Sequence, residues 1–147
     1  MKKKLKKLEL LAPAGSLEKI KYAIEYGADA VYAGIPDISM RARVNNFSEK
    51  NLEEASQYTH KRGKKIFVTV NIYAHNYHLL AIEKHLKFLR KIKIDGVIIS
   101  DPGIIDLAKK YLPHVDIHLS TQSNTTNWRA AKFWHEAGVK RIILARE

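Results

Sequence analysis

Short apolar runs alternate with amphipathic segments along the chain. The runs are rich in aliphatic and β-branched residues, and several show no polar alternation, which is typical of strands buried on both faces. They predict six strands: Leu8–Ala12, Ala30–Ala33, Ile66–Val70, Gly96–Ile99, Val115–Leu119 and Arg141–Leu144. Five segments with helical spacing lie between the strands: Leu17–Tyr26, Glu49–Arg62, Tyr77–Lys91, Ile104–Leu112 and Thr126–Ala137.

Residues with a known role at helix ends support these boundaries. Ser16 and Ser48 precede the first two helical segments as N-caps, where a serine side chain accepts a hydrogen bond from the first turn. Gly27, Gly63 and Gly138 follow three of the segments as stops, because glycine adopts the left-handed conformation without strain. The end residues therefore agree with the periodicity.

Strands separated by helices imply right-handed crossovers and a parallel sheet. Two architectures fit this order, a doubly wound sheet and a (β/α)8 barrel. Every predicted strand ends in a polar or glycine-rich segment, and barrels collect their active site at that face, so the pattern favours the barrel. A doubly wound sheet concentrates its chemistry at one switch point, and no G-x-G-x-x-G follows the first strand.

The chain is short for a barrel, which needs eight units and typically about 250 residues. With 147 residues and six predicted strands, it is expected to form an incomplete (β/α)8 TIM-type barrel of the α/β class. We expect residues 1–7 to be a basic flexible tail and residues 8–147 to be the N-terminal part of the barrel.

The composition is that of a globular protein, with 46% hydrophobic and 28% charged residues. The formal net charge of +11 indicates a polyanionic partner, nucleic acid above all, with a lysine-rich solvated surface as the alternative. No apolar run approaches the roughly 20 residues that cross a bilayer, and the apolar stretch near the N-terminus is too short for a signal peptide. We therefore expect a cytoplasmic protein without a membrane partner.

The chain contains no cysteine. This excludes disulfides, a thiolate zinc site, a cysteine nucleophile and iron–sulfur ligation by these residues alone. The pairs His75 and His78, and His114 and His118, have spacings seen among metal ligands, but neither pair has an evident third ligand. No metal site is predicted.

Polar residues at the predicted strand ends form the candidate site. Arg41 and Arg43, followed by Asn45, make a donor array that suits phosphate or carboxylate, with a solvated loop as the alternative. His75 and His118 are candidates for substrate hydrogen bonding or acid–base catalysis, against a purely structural role. The other rim candidates are Asn71, Asn76, Ser100, Asp101, Ser120, Gln122, Asn124, Arg146 and Glu147.

Two further groups receive the plainer interpretation. Ser100 and Ser120 stand at strand ends, where serine is more often a helix cap than a nucleophile, and no partner base is evident. Trp128, Phe133 and Trp134 lie along the fifth helix, and we expect them to pack that helix on its neighbours rather than to stack on bases.

A series of motifs extends in order over nearly the whole chain beyond the lysine-rich tail. It consists of Glu9–Gly15, Tyr26–Gly34, Ser39–Arg43, Val70–Ile72, His75 and Asn76, Ser100–Gly103, Ile117–Ser120, Gln122, Asn124, Asn127 and Trp128, Lys132–Trp134 and Arg141–Glu147. No single motif is specific, but the set resembles peptidase family U32. The Tyr-Ala-Gly, Asn-Trp and Lys-Phe-Trp features are most similar to the branch that hydroxylates tRNA.

The resemblance implies a barrel and prephenate-dependent formation of 5-hydroxyuridine at the tRNA wobble position. Other branches hydroxylate ribosomal RNA or a quinone precursor, and several members carry a collagenase-like protease label. A 4Fe-4S cluster bound by cysteines is implied for the full-length family, with its cysteines beyond the region matched here. The isolated chain is accordingly expected to lack activity.

The resemblance also gives the rim residues candidate roles. Arg41 and Arg43 would hold RNA phosphate or the prephenate carboxylates. The basic tail and surface would add non-specific affinity for tRNA. The residues that would line the pocket and orient the base are Asn71, His75, Asn76, His118, Ser120, Gln122 and Asn124.

Three classes of function stay open from the sequence. The first is RNA modification by the complete protein, with tRNA as its partner. The second is a peptidase, which would need Ser100 or Ser120 for protein cleavage. The third is a non-catalytic half-barrel that binds RNA, pairs with the missing C-terminal portion, or associates with itself through its open sheet edges.

Overall fold

The computed structural model describes residues 8–36, 38–40 and 47–146. In this part of the chain six strands form one parallel sheet in the order β1-β2-β3-β4-β5-β6. Each strand therefore pairs with the next strand of the sequence, as in a barrel. The strands are β1 (Leu11–Pro13), β2 (Ala30–Ala33), β3 (Lys65–Val70), β4 (Gly96–Ile99), β5 (Asp116–Leu119) and β6 (Arg141–Ile142).

Five α-helices connect these strands: α1 (Leu17–Glu25), α2 (Glu49–Lys61), α3 (Leu79–Lys91), α4 (Pro102–Tyr111) and α5 (Trp128–Glu136). Short 3-10 turns, Asn76–His78 and Thr121–Ser123, follow β3 and β5. The predicted α/β class, an incomplete barrel with six parallel strands and five helices, is confirmed for the described residues. Across that same part of the chain, no helix is both long and apolar enough to span a membrane.

The predicted helix ends hold at atomic detail. Ser16 and Ser48 accept hydrogen bonds from backbone N–H groups in the first turns of α1 and α2, at 3.3 and 3.2 Å. The glycines after α1, α2 and α5 all have positive φ angles, as a C-terminal stop requires. Lys93 takes the same left-handed conformation after α3, with φ of 57°, at a stop where the sequence holds no glycine.

The outward face of the sheet packs on the helices. In-register pairing places Ala33, Val68, Val97 and Ile117 side by side across four strands, and each is at most 4% exposed. Burial of such an aliphatic side chain contributes about 1.5–3 kcal/mol relative to exposure. The same apolar cluster includes buried residues of four helices: Ile20, Leu52, Leu86 and Ile104.

The inward face is plugged at the amino ends of the strands. The Phe67 ring makes a T-shaped contact with the His118 ring, with centroids 4.6 Å apart, and lies 5.3 Å from the Arg141 guanidinium. Arg141 in turn donates a 2.6 Å hydrogen bond to Glu9, whose carboxylate also lies 3.7 Å from Lys65 Nζ. These groups fill the amino end of the interior among the described residues.

The sheet is strongly curved. Glu9 precedes β1 and Arg141 begins β6, the two edge strands, yet their side chains form an ion pair. Leu11 of β1 and Ile143, which follows β6, line the same pocket on the inner face. The two edges therefore approach each other on the inside, as strands of a barrel wall do.

The edge strands differ from their prediction in length. β1 begins at Leu11 rather than Leu8, and the side chains of Leu8 and Leu10 are exposed. Strand β6 ends at Ile142 rather than Leu144. Apolar residues outside the sheet carry the same sequence signal as strand residues, so an apolar run overestimates a strand that has a partner on one side only.

The prediction for the aromatic residues of α5 is right only for Trp134, which packs against the core. Trp128 and Phe133 are 68% and 62% exposed, so the prediction that they pack is wrong. The helical spacing of aromatic residues marks an apolar face, but it does not say whether another element covers it. Within the described residues, Trp128 and Phe133 stay on the open side of this face.

Gly96 tests how tightly the interior is packed. A Cβ at this position would lie 3.1 Å from Phe67 Cδ1 and 3.2 Å from His118 Cε1. We expect Gly96→Ala to lower the free energy of unfolding by about 1–3 kcal/mol, since overpacking displaces these rings. Urea denaturation followed by circular dichroism measures the change.

Gly103→Ala is the control for this prediction: its added methyl would lie 3.1 Å from Asp101 Oδ1, the end of a side chain at the rim that can shift, and not against rings packed in the interior. Its stability should stay level or rise slightly, as alanine favours the helix. Equal stability of wild type and Gly96→Ala would show that the interior has room to relax.

Candidate functional site

A pocket of about 290 Å³ opens at the carboxyl edge of the sheet, on the inner face. Its base is apolar, and its rim is built from uncharged polar side chains. Within the described residues, no charged side chain lines it. The lining residues are Leu11, Tyr32, Ser39, Met40, Thr69, Asn71, Ile98, Ser120, Thr121, Gln122 and Ile143.

Asn71 and Gln122 connect three loops around this pocket. Asn71 Nδ2 donates to Gln122 Oε1 at 2.8 Å, and Asn71 Oδ1 accepts from the backbone N–H of Met40 at 3.2 Å. Ser120 Oγ donates to the same Gln122 oxygen at 3.1 Å. Since both side-chain bonds that Gln122 makes to described residues use its oxygen, its NH2 group can donate to a ligand.

The wall of the pocket beside β2 is closely packed. Thr69 Oγ1 lies 2.8 Å from Ser39 Oγ and 3.2 Å from the Ala33 carbonyl oxygen, so its single hydroxyl proton is shared between these two partners. A Cβ on Gly34 would overlap Thr69 Oγ1 and lie 2.7 Å from Ser39 Cβ, so only glycine fits there. This packing holds the loop after β2 against the end of β3.

A second pocket, of about 280 Å³, lies on the other side of the Asn71–Gln122 pair. Both residues line both pockets, so the hydrogen-bonded pair forms the wall between them. The other residues of the second pocket come from the loops after β3 and β4: Ile72, Tyr73, Ala74, His75, Ser100, Asp101 and Pro102.

Asp101 is the one carboxylate in the lining of this second pocket among the described residues. Its Oδ1 accepts a 2.9 Å hydrogen bond from the backbone N–H of Ile104 and caps α4. The positive end of the helix dipole offsets part of the carboxylate charge. The structure thus gives Asp101 a positioning contact at the edge of the site.

Two histidines are buried in the fold. His118 lies on the inward face and is 2% exposed, and its Nδ1 has no hydrogen-bond partner in the part of the chain that the structure describes. Burial lowers the pKa of His118 to about 4, and the nearby Arg141 charge acts in the same direction. Burial likewise lowers the pKa of His85 on α3 to about 4. Both rings are therefore neutral at pH 7.

The structure brings together six of the predicted site residues and leaves four described ones outside. Asn71, His75, Ser100, Asp101, Ser120 and Gln122 line one or both pockets. His118 lies beside Phe67 in the interior, and Asn76, Asn124 and Arg146 line neither pocket. The predictions for Arg41, Arg43, Asn45 and Glu147 fall outside the described residues.

The candidates from the sequence did not include eight of the eleven residues that line the first pocket, among them Tyr32, Ser39, Met40 and Thr69. Tyr32 and Thr69 lie within strands β2 and β3, whereas the polar positions that the sequence singles out lie at strand ends. Their signal was available, because Tyr32 in β2 and Thr69 in the buried part of β3 are polar side chains among apolar neighbours. Ser39 and Met40 belong to a loop whose position depends on Asn71 and Thr69.

Comparison with known proteins places this site in context. The sequence model of peptidase family U32 matches residues 15–147. The tRNA hydroxylation protein P of Haemophilus influenzae is 49% identical over 141 residues, which are 96% of this chain and 31% of that protein. The tRNA hydroxylation protein P1 of Bacillus subtilis is 46% identical over 97% of this chain and 34% of its own length.

A relative with another RNA in its name matches as well. The 23S rRNA 5-hydroxycytidine C2501 synthase of Escherichia coli is 37% identical over 96% of this chain and 21% of its own length. The chain thus spans about a fifth of the length of this relative and about a third of the length of the two tRNA hydroxylation proteins.

Among solved structures, the U32 peptidase Mk0906 superposes with a TM-score of 0.75 at 13% identity. The match covers 98% of this chain and 61% of that chain. At this identity the likeness concerns the fold, and it agrees with the partial barrel described above.

The buried histidines predict acid sensitivity. As the pH falls below about 6.5, the unfolded chain binds protons that folded His85 and His118 take up only near pH 4. Stability should therefore fall between pH 6.5 and 4, by on the order of 3 kcal/mol for each ring. His85→Leu should reduce this loss, measured by urea denaturation at several pH values.

His114→Leu is the matched control, because His114 is exposed in the turn before β5. It should leave the loss of stability on acidification as in the wild type. Parallel stability–pH curves for wild type and His85→Leu would contradict a neutral buried His85.

Proposed function

This chain belongs to peptidase family U32, and we propose that it is the N-terminal part of a protein that hydroxylates wobble uridine in tRNA to 5-hydroxyuridine. In this proposal residues 8–147 contribute six strands of the barrel, and the pocket bounded by Asn71 and Gln122 receives the uracil base. Two relatives of 46–49% identity bear tRNA hydroxylation in their names, which supports tRNA as the partner.

The uncharged pocket with its unused amide donor is the observation that carries the proposal. A volume of about 290 Å³ lies at the lower end of the range for small-ligand pockets, roughly 300–1,000 Å³, which suits one nucleobase. Uracil is neutral and has carbonyl acceptors, so the Gln122 NH2 group can donate a hydrogen bond to it. An enzyme that modifies a base must take that base out of its stack into such a pocket.

The charge of the chain supports an RNA partner. A net charge of +11 favours a polyanion through counterion release, and the sequence places five of these positive charges in residues 1–7. Arg41 and Arg43 stay candidates for binding RNA phosphate or the carboxylates of prephenate. A tRNA substrate also agrees with the expected cytoplasmic location.

The residues present do not fit the iron–sulfur cluster that the family implies. Such a cluster is held by cysteine thiolates, and these 147 residues include no cysteine. No group of three histidine, aspartate or glutamate side chains suited to a metal occurs within the described residues either. In this proposal the cluster belongs to another part of the protein, and this chain binds and orients the base.

The site geometry does not favour a serine peptidase. Ser120 Oγ donates to Gln122 Oε1, an amide oxygen that cannot act as a general base. Neither Ser100 nor Ser120 forms a hydrogen bond with a histidine in the described ranges, whereas nucleophilic activation of serine requires a neighbouring base.

A chimera tests the proposal. This chain would replace the matching third of the Bacillus subtilis tRNA hydroxylation protein P1, in a strain that lacks its own tRNA hydroxylation proteins. We expect the chimera to restore 5-hydroxyuridine, measured by mass spectrometry of tRNA nucleosides. Gln122→Leu should reduce the modification by roughly 10–200-fold, since it removes a hydrogen bond to the base.

Gln57→Leu provides the matched control, because Gln57 is exposed on α2, away from the pocket. It should modify tRNA as the parent chimera does. A chimera that accumulates in cells and forms no 5-hydroxyuridine contradicts the function, while full activity of Gln122→Leu contradicts the assignment of the base pocket alone.

A further inference from the structure

We propose that the second pocket and the aromatic turn beside it bind a nucleotide that flanks the target base in single-stranded RNA. The aromatic turn consists of residues 73–78. This inference rests on the proposed function, because it extends the RNA path from the first pocket into the second. The two pockets are neighbours, with the Asn71–Gln122 pair as the wall between them.

The aromatic turn exposes two tyrosine rings to solvent beside the second pocket, and exposed rings contribute little to the stability of the fold. Tyr73 lines the second pocket and is 75% exposed, and Tyr77 is 76% exposed. His75, also in the pocket lining, stacks on Tyr77 with centroids 5.5 Å apart and an angle of 13° between the rings. Exposed flat rings beside a groove are the usual platform on which proteins stack unpaired bases.

Two hydrogen bonds close the part of the turn that carries His75, Tyr77 and His78. The backbone N–H of His75 donates to His78 Nδ1 at 3.0 Å, and the backbone N–H of His78 donates to the His75 carbonyl at 2.9 Å. The rings of Tyr77 and His78 lie 4.0 Å apart. A preformed platform loses little conformational entropy when a base stacks on it.

The two pockets are adjacent, because Asn71 and Gln122 line both of them. They share a single wall, one hydrogen-bonded pair thick, so a base in the first pocket leaves its neighbour in the chain at the second. The carboxylate at this second position, Asp101, is bound to the N-terminus of α4, and its charge is partly offset there. Stacking tolerates any base, so the platform adds affinity without fixing the flanking sequence.

Fluorescence of a labelled RNA hairpin tests the proposal with the whole 147-residue chain. The probe is a tRNA anticodon stem-loop in which 2-aminopurine replaces one or the other neighbour of the wobble uridine. Binding of the wild type should change the fluorescence at one of the two positions, because stacking on an aromatic ring alters the emission of 2-aminopurine. Tyr73→Ala and Tyr77→Ala should each weaken binding roughly tenfold and reduce this change.

Two further variants separate stacking from folding effects. Tyr73→Phe keeps the ring and should keep both affinity and fluorescence change. Tyr26→Ala removes an equally exposed tyrosine, 87% exposed, at the end of α1, and should bind as the wild type does.

The outcomes distinguish this inference from the proposed function. If Tyr73→Ala and Tyr77→Ala bind the hairpin with the affinity and the fluorescence change of the wild type, the aromatic turn does not bind the flanking nucleotide. In that case, loss of tRNA modification in the Gln122→Leu chimera would still support the base pocket. Absence of any binding of the hairpin by the wild-type chain would count against both.

Discussion

The two-residue alternation of six in-register parallel strands is the constraint on which the rest of this structure depends. Successive side chains point to opposite faces, so one set packs on helices and the other lines a curved interior. Ala33, Val68, Val97 and Ile117 show the first set, and its uniformly aliphatic character fixes the register. A slip by one residue would bring Phe67 and its neighbours against the helices and empty the interior.

The same constraint divides the interior into two chemical zones along the strands. At the amino ends Phe67, Arg141 and Glu9 fill the space with a ring and an ion pair. At the carboxyl ends small hydroxyls and amides replace them, and the loops leave room for ligands. The packed end and the candidate site therefore lie at opposite ends of the same six strands, which is also the arrangement of complete barrels.

The sequence was sufficient for the parts of the fold that are set locally. The short-range pattern of residues predicts the buried strands and the helix ends at Ser16 and Ser48. The polar residues at the strand ends indicate where Asn71 and Gln122 lie. It could not show that these two side chains, 51 residues apart, are hydrogen-bonded, because their contact depends on sheet curvature. Nor could an apolar helical stripe show whether Trp128 has a covering neighbour.

The strand order has a consequence for how the chain reaches this state. Every strand pairs with its sequence neighbour, so each new strand–helix unit can add to a wall already formed as the chain leaves the ribosome. The Glu9–Arg141 ion pair is different, because it joins residues 132 positions apart. Loop-closure entropy makes such a contact late to form. The contact that joins the two edges of the sheet thus forms only after the sixth strand has been synthesised, whereas each of the first five strands pairs with a neighbour in sequence.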